Sequence, residues 1–213
     1  MKVVLFGATG MIGQRILNEL VARGHTVKAV ARHPEKIATQ ANVTAVQGDV
    51  MDAESVAAAV NGADAVISAY GPGTGALADS YRLMEDSTRA LIAGMNEAGG
   101  RRLLMVGGAG SLMVGPDVDL IDSGHLPEEW KAIAIAHRDV LKTLRGSDLD
   151  WTSFSPAAFI QPGERTGKFR LGTDTLITDG EGKSRISAED YAVAMVDELE
   201  NPRHVRQRFT IGY

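Results

Sequence analysis

The chain has 213 residues, 44% of them apolar, a formal net charge of −5 at pH 7, 24 glycines and no cysteine. That length supports one domain with a full core, and the glycine content suits an α/β protein whose strand-to-helix turns need small or left-handed residues. Disulfides, thiolate nucleophiles and cysteine-ligated metals are excluded, and an acidic chain without a dense Lys/Arg run offers nucleic acid no electrostatic footprint.

Lys2 to Phe6 reads as a short apolar strand that runs into Gly7, Gly10 and Gly13, after which Ile16, Leu17, Leu20 and Val21 recur at helical spacing. A dinucleotide-binding βαβ unit begins this way. The first glycine permits a tight turn, the second lets backbone amides approach a pyrophosphate, and the third allows the helix to pack closely on the strand. Gly7, Thr9, Gly10, Met11, Ile12 and Gly13 are therefore the expected phosphate cradle, at a helix N-terminus whose free donors and dipole favour an anion.

Beyond the turn at Gly24-His25, Thr26 to Arg32 reads as a second strand and Val43 to Val46 as a third, ending at Gly48-Asp49-Val50. A helix through Val56, Ala57 and Val60 stops at the Asn61-Gly62 C-cap pair. Ala63 to Ala69 is the fourth strand, broken by Tyr70-Gly71-Pro72-Gly73, and a helix follows from about Asp79 to Ala98. Arg102 to Val106 is the fifth strand, stopping at Gly107-Gly108, and a helix spans about Pro127 to Leu144 with the proline in its first turn. Asp150 to Ser155, closed by Pro156, is the sixth strand; Ile160 to Arg185 reads as hairpin and loop; Ala188 to Glu200 is the last helix and Arg208 to Ile211 the final strand.

Strands alternating with helices imply a doubly wound parallel sheet, a Rossmann fold in one domain over residues 1–213 with helices on both faces. A small substrate-side loop region is expected at about 156–187. Ligands of such sheets bind beyond the carboxyl ends of the strands, where strand order reverses.

The residues at those ends carry the candidate chemistry. Arg32 stands where NAD sites usually hold an acid, so its guanidinium either holds a 2′-phosphate, with Arg15 and Lys36 adding charge, or is a solvated arginine on a charged turn. The first alternative favours NADP(H) over NAD(H). Asp49 either accepts from the adenine amino group, with Val50 supporting the ring, or forms a turn. Ala69, Tyr70, Gly71, Gly107, Gly108 and Pro156 complete the cofactor-side set. Ser111 is either a hydrogen-bond donor to substrate or turn chemistry. Phe159 with Tyr70 offers an aromatic wall, and Arg165 either clamps a substrate anion or belongs to a surface loop fixed by Glu164, Asp174 or Asp179. Ser187 to Asp190 reads as a capping box with no catalytic implication. The five histidines are dispersed, and no metal site is expected.

Gly7 to Gly13, Gly48-Asp49-Val50, Ala136-His137-Arg138-Asp139, Asp150-Trp151-Thr152 with Ser155-Pro156, Pro162 to Gly167 and Arg185 to Ala192 together resemble the atypical short-chain dehydrogenase/reductase group. Within it the chain is similar to the NAD(P)H-binding, NmrA-like and biliverdin-reductase-B-like branch, which includes proteins assigned as NADH–flavin reductases. The resemblance covers almost the full length. It departs from the wider group on the helix from Pro127, where Ile133 and His137 stand in the places of the Tyr-x-x-x-Lys pair. Ile133 cannot protonate an alkoxide, whereas hydride transfer to a flavin or quinone leaves a delocalised anion that needs no strong acid. His137 either serves the nicotinamide ribose and protonation or is a core histidine.

The expectation is an NADPH-dependent oxidoreductase with a flavin, quinone or similar conjugated acceptor as small-molecule partner, and Ser111 and His137 as its catalytic candidates. A non-catalytic NADP(H)-sensing regulator of NmrA-like type is the alternative, with an epimerase or dehydratase a weaker third. No nucleic-acid or membrane partner is expected, the state is monomer or homodimer, and the location cytoplasmic, since no apolar segment approaches the ~18 residues of a membrane span.

Overall fold

The computed structural model describes residues 1–73 and 79–213. In chain order it forms β1 (Lys2–Phe6), α1 (Met11–Ala22), β2 (Thr26–Ala31), β3 (Val43–Gln47), α2 (Ala53–Val60), β4 (Ala65–Ser68), α3 (Ser80–Glu97) and β5 (Arg102–Val106). There follow β6 (Met113–Gly115), β7 (Val118–Asp119), α4 (Glu128–Arg145), β8 (Asp150–Ser155), β9 (Phe159–Gln161), β10 (Arg170–Gly172), β11 (Arg185–Ser187), α5 (Ala188–Glu200) and β12 (Gln207–Gly212).

The main sheet has the order β10-β12-β8-β5-β4-β1-β2-β3. Its seven strands from β12 to β3 are parallel, and both faces are covered, which is why the strands read as nearly continuous apolar runs. Alternate residues serve opposite layers. Val3 and Leu5 join Ile16, Leu20, Met195 and Leu199 in the α1–α5 core, while Val4 and Phe6 join Val56, Met84, Leu91 and Leu144 in the α2–α4 core. A column of parallel rings crosses the first layer: Tyr191 on Phe154, Phe154 on Phe209, and Phe209 on His204, with centroids 4.1, 3.9 and 4.4 Å apart.

The doubly wound sheet matches expectation, with three corrections in the irregular segments. Residues 160–185 form no hairpin: β9 pairs with β11 in parallel, and β10 joins the main sheet antiparallel to β12. Between β5 and α4 a short antiparallel pair, β6 with β7, replaces plain loop. Pro127 is the N-cap of α4 rather than its first helical residue. These pairings are long-range and leave no local periodicity to read.

Ser187 caps α5 as expected, accepting from the Asp190 amide at 3.0 Å. Asp190 does not return the bond to the Ser187 amide as a capping box requires. Its fully buried carboxylate accepts instead from Thr166 Oγ1 at 2.6 Å, the Gly167 amide at 2.8 Å and the Tyr213 hydroxyl at 2.8 Å, tying the segment after β9 to α5. Burial pushes this carboxyl up, but the bonds from Thr166, Gly167 and Tyr213 outweigh it and hold it below the usual range. With the folded value below the unfolded ~3.9, the stabilisation is fully present above about pH 4 and is lost as pH falls through the folded value. Asp190→Ala is expected to cost about 2–4 kcal/mol at pH 7 by urea unfolding, with the gap to the unmodified protein narrowing in acid.

Candidate cofactor cleft at the strand ends

Register fixes which residues share the carboxyl edge of the sheet. Phe6 lies beside Val30 and Ser68, Val30 beside Val46, Ser68 beside Met105, and Met105 beside Ser153. The segments that leave these strands, at Gly7, Arg32, Gly48, Ala69, Gly107 and Pro156, therefore line one rim. Strand order reverses between β1 and β4, so the rim opens at the β1–α1 turn.

That turn is packed against backbone. Gly7 has φ +79°, and a Cβ there would lie 2.4 Å from the Ala69 carbonyl oxygen; a Cβ at Gly13 would lie 1.9 Å from the Gly7 carbonyl oxygen. Neither position has room for a side chain. Gly10 is the N-cap of α1 and provides no side-chain bond, and the first turn holds no acid, whereas Asp52 and Ser187 cap α2 and α5 with their side chains. The α1 amides around Met11, Ile12 and Gly13 are thus free of side-chain acceptors, as a pyrophosphate cradle requires. The residues fit a dinucleotide.

On one side of the cradle Arg32 is exposed and forms no ion pair among the described residues, so its charge is available to a ligand. Asp49 makes an Asx turn, Oδ1 accepting from the Met51 amide at 3.0 Å, while its own amide donates to Ser55 Oγ at 2.9 Å. The turn reading therefore accounts for one carboxylate oxygen and leaves the other; Val50 beside it is buried. Tyr70 is half-buried and packs on the α2–α4 core. Burial pushes its phenol up, Arg32 pulls it down, Asp49 adds to the rise and Arg82 opposes it, leaving a protonated donor. Those influences place Arg32, Asp49, Tyr70 and Arg82 in one electrostatic neighbourhood. Lys36 lines a recess of about 220 Å³ with Ala8, Gln14, Asn18 and Gln40, between α1 and the segment after β2. A second recess of about 280 Å³, lined by Arg145, Trp151, Asp174, Arg206 and Arg208, lies beside β8 and β12 away from this rim.

On the other side the glycines after β5 meet α4. A Cβ at Gly108 would lie 2.7 Å from the His137 Cβ, and one at Gly110 would lie 2.7 Å from the Ala134 Cβ. A Cβ at Gly107 would lie 2.9 Å from Ser153 Oγ and 3.2 Å from the Phe154 carbonyl oxygen. His137 is thus brought to the rim. Its Nδ1 is shielded from solvent and has no protein partner, and burial depresses the imidazole to about 4, so the ring is neutral at physiological pH. Pro156 is buried where β8 ends.

Several expected ligands are engaged elsewhere. Ser111 accepts from Arg208 Nη1 with both Oγ, at 2.9 Å, and its carbonyl, at 3.0 Å, while Arg208 also binds Asp174; the serine is held by the sheet. Arg165 forms a bidentate pair with Glu19, at 2.8 Å for both bonds, which no reading of its local acids anticipates. Arg15 is paired with Glu189 at 3.0 Å. Phe159 is 70% exposed and packs on neither core, whereas Tyr70 packs on the α2–α4 core. Sequence reasoning missed Arg82, whose place in the first turn of α3 carries no motif. It also missed the Tyr191 hydroxyl, buried on the Phe154 carbonyl at 2.6 Å directly below the rim. Among the described residues no cluster of three potential metal ligands occurs, and no helix is long and apolar enough to cross a membrane.

Known structures share this architecture over full length. A protein of Burkholderia pseudomallei provisionally named as exported is 48% identical, with TM-score 0.88 and all of both chains covered. One from Bacteroides thetaiotaomicron, provisionally named an epimerase, is 45% identical with TM-score 0.92, covering 100% of this chain and 96% of the other. One from Streptococcus pneumoniae, provisionally named an NADH-flavin reductase, is 35% identical with TM-score 0.86, covering 100% and 99%. Residues 7–202 match the NAD(P)H-binding family. A side-chain-free phosphate cradle at the switch point of a doubly wound sheet, together with a match spanning nearly the whole sequence, places the chain in the NAD(P)H-binding family, with the fold of the atypical short-chain dehydrogenase/reductases.

Proposed function

We propose that the protein is an NADPH-dependent reductase whose acceptor is a flavin, quinone or similar conjugated ring. The observation that carries this reading is the composition of the rim at α4: a neutral imidazole with an unpartnered Nδ1 at His137, and the aliphatic Ile133 one turn before it. No general acid with a pKa near the working pH stands on α4 there. Reduction of a conjugated ring does not require one, because NADPH + H⁺ + acceptor → NADP⁺ + reduced acceptor passes through a delocalised anion that water can protonate.

When bound, NADPH supplies the hydride and the chain supplies position. The turn from Gly7 to Gly13 would hold the pyrophosphate through amides such as those of Thr9, Met11 and Ile12, while the Gly10 amide donates to the Gly7 carbonyl at 3.0 Å and shapes the turn. Arg32 would hold the 2′-phosphate, with Arg82 adding positive potential. Asp49 and Val50 would border the adenine, and Ala69, Tyr70 and Gly71 the middle of the cofactor. Gly107, Gly108 and Pro156 would leave a flat seat for the nicotinamide, and the His137 ring would border it. Ser111 and Arg165 take no part, given their partners. The Streptococcus pneumoniae relative's provisional name supports a flavin acceptor for this chain.

Arg32→Asp is expected to weaken NADPH binding about 10- to 100-fold and to shift preference to NADH, measured by calorimetry and by loss of reduced-cofactor absorbance with FMN, riboflavin or a quinone added. Tight NADPH binding without turnover on any of these acceptors would favour the sensor instead. Because His137 is neutral above about pH 4, kcat/KM for NADPH should show no inflection from it between pH 5.5 and 8. A step near pH 6.5 that disappears in His137→Gln would show that the ring is charged in the working protein.

A further inference from the structure

We propose that Trp130 is the stacking platform for the acceptor's planar ring, an assignment that rests on the reductase reading above. α4 follows β5 and precedes the parallel β8, so its N-terminal end stands at the cofactor rim. One stripe of this helix is fixed by contact: Gly110 packs on Ala134 and Gly108 on His137, at separations that exclude even a Cβ. Trp130 precedes Ala134 by four residues and His137 by seven, which puts it on the same stripe one turn nearer the mouth of the cleft. Side chains on a helix lean toward its N-terminus, which directs the indole toward the cleft end of α4.

Its exposure leaves it open to a ligand. Trp130 is 46% exposed, whereas Trp151, the chain's other tryptophan, is 4% exposed in the α2–α4 core. The neighbouring stripe positions Ile133, Ala134 and Ala136 present only aliphatic surface, and Tyr70 packs on the α2–α4 core while Phe159 packs on neither core. A large ring left open on a stripe that otherwise buries itself against the cofactor loop suits an acceptor with a π-face. A tryptophan face is broad and tolerant of which planar ring lies on it.

The test uses the full chain with NADP⁺ bound, titrated with riboflavin and separately with 2-methyl-1,4-naphthoquinone. Exposed tryptophan emission should be quenched by both. Trp130→Ala and Trp130→Leu should each raise the acceptor Kd and KM about tenfold or more, Trp130→Phe by no more than about threefold, with the NADPH Kd unchanged in all three. Leucine keeps apolar bulk without a π-face, and circular dichroism checks folding at this exposed position. Equal acceptor Kd in the unmodified protein and Trp130→Leu, or NADPH binding in the unmodified protein with neither acceptor bound, overturns the assignment. Failure of the unmodified protein to bind NADPH at all instead removes the reductase reading beneath it.

Discussion

The architecture of the cleft depends on a backbone-to-backbone contact. Gly7 lies against the Ala69 carbonyl and Gly13 against the Gly7 carbonyl, at distances no Cβ tolerates. This contact brings the start of α1 into the gap between β1 and β4, where the chain changes direction across the sheet. It also leaves Gly10 as an N-cap with no oxygen to offer, so the first amides of α1 face the cleft without a side-chain acceptor. A side chain at either glycine would separate helix and strand and move those amides away from the rim. The fold and the candidate phosphate site are one constraint seen from two sides.

The same principle recurs at the other end of the rim. Gly108 and Gly110 allow the loop after β5 to lie directly on α4, which brings His137 to the cleft and isolates its Nδ1 from water. An imidazole so placed is neutral, and Ile133 beside it is inert. Amides, small residues and an uncharged ring line the rim, and among the described residues the charges that bear on Tyr70 there are Arg32, Asp49 and Arg82. Orientation rather than acid catalysis is what such a surface can provide.

Buried and half-buried carboxylates decide which cations remain available. Glu19 takes Arg165 and Arg23, Glu189 takes Arg15, and Glu198 takes Arg102 and His204, while Asp190 gathers the hydroxyls and amide of Thr166, Tyr213 and Gly167. These pairs bind the segment after β9, α1, α5 and the sheet to one another. Arg32 has no such partner among the described residues, and that difference, not its residue type, distinguishes it from Arg15 and Arg165.

The strand and helix alternation, the glycine cradle and the positions of Arg32, Asp49 and His137 at strand or helix landmarks were legible because each rests on local periodicity or on spacing within a few residues. Glu19 lies 146 residues from Arg165 and Ser111 lies 97 from Arg208, so nothing in the neighbouring sequence announces either pairing. The antiparallel entry of β10 and the parallel pairing of β9 with β11 were hidden for the same reason: short strands with no alternating pattern acquire direction only from the partner they meet. Local sequence determined where the glycine turn and the strand ends that line the candidate cleft stand. Tertiary packing decided which arginines and hydroxyls are already bonded across the fold and which still face the cleft, since the partner that engages each polar group comes from a distant part of the chain.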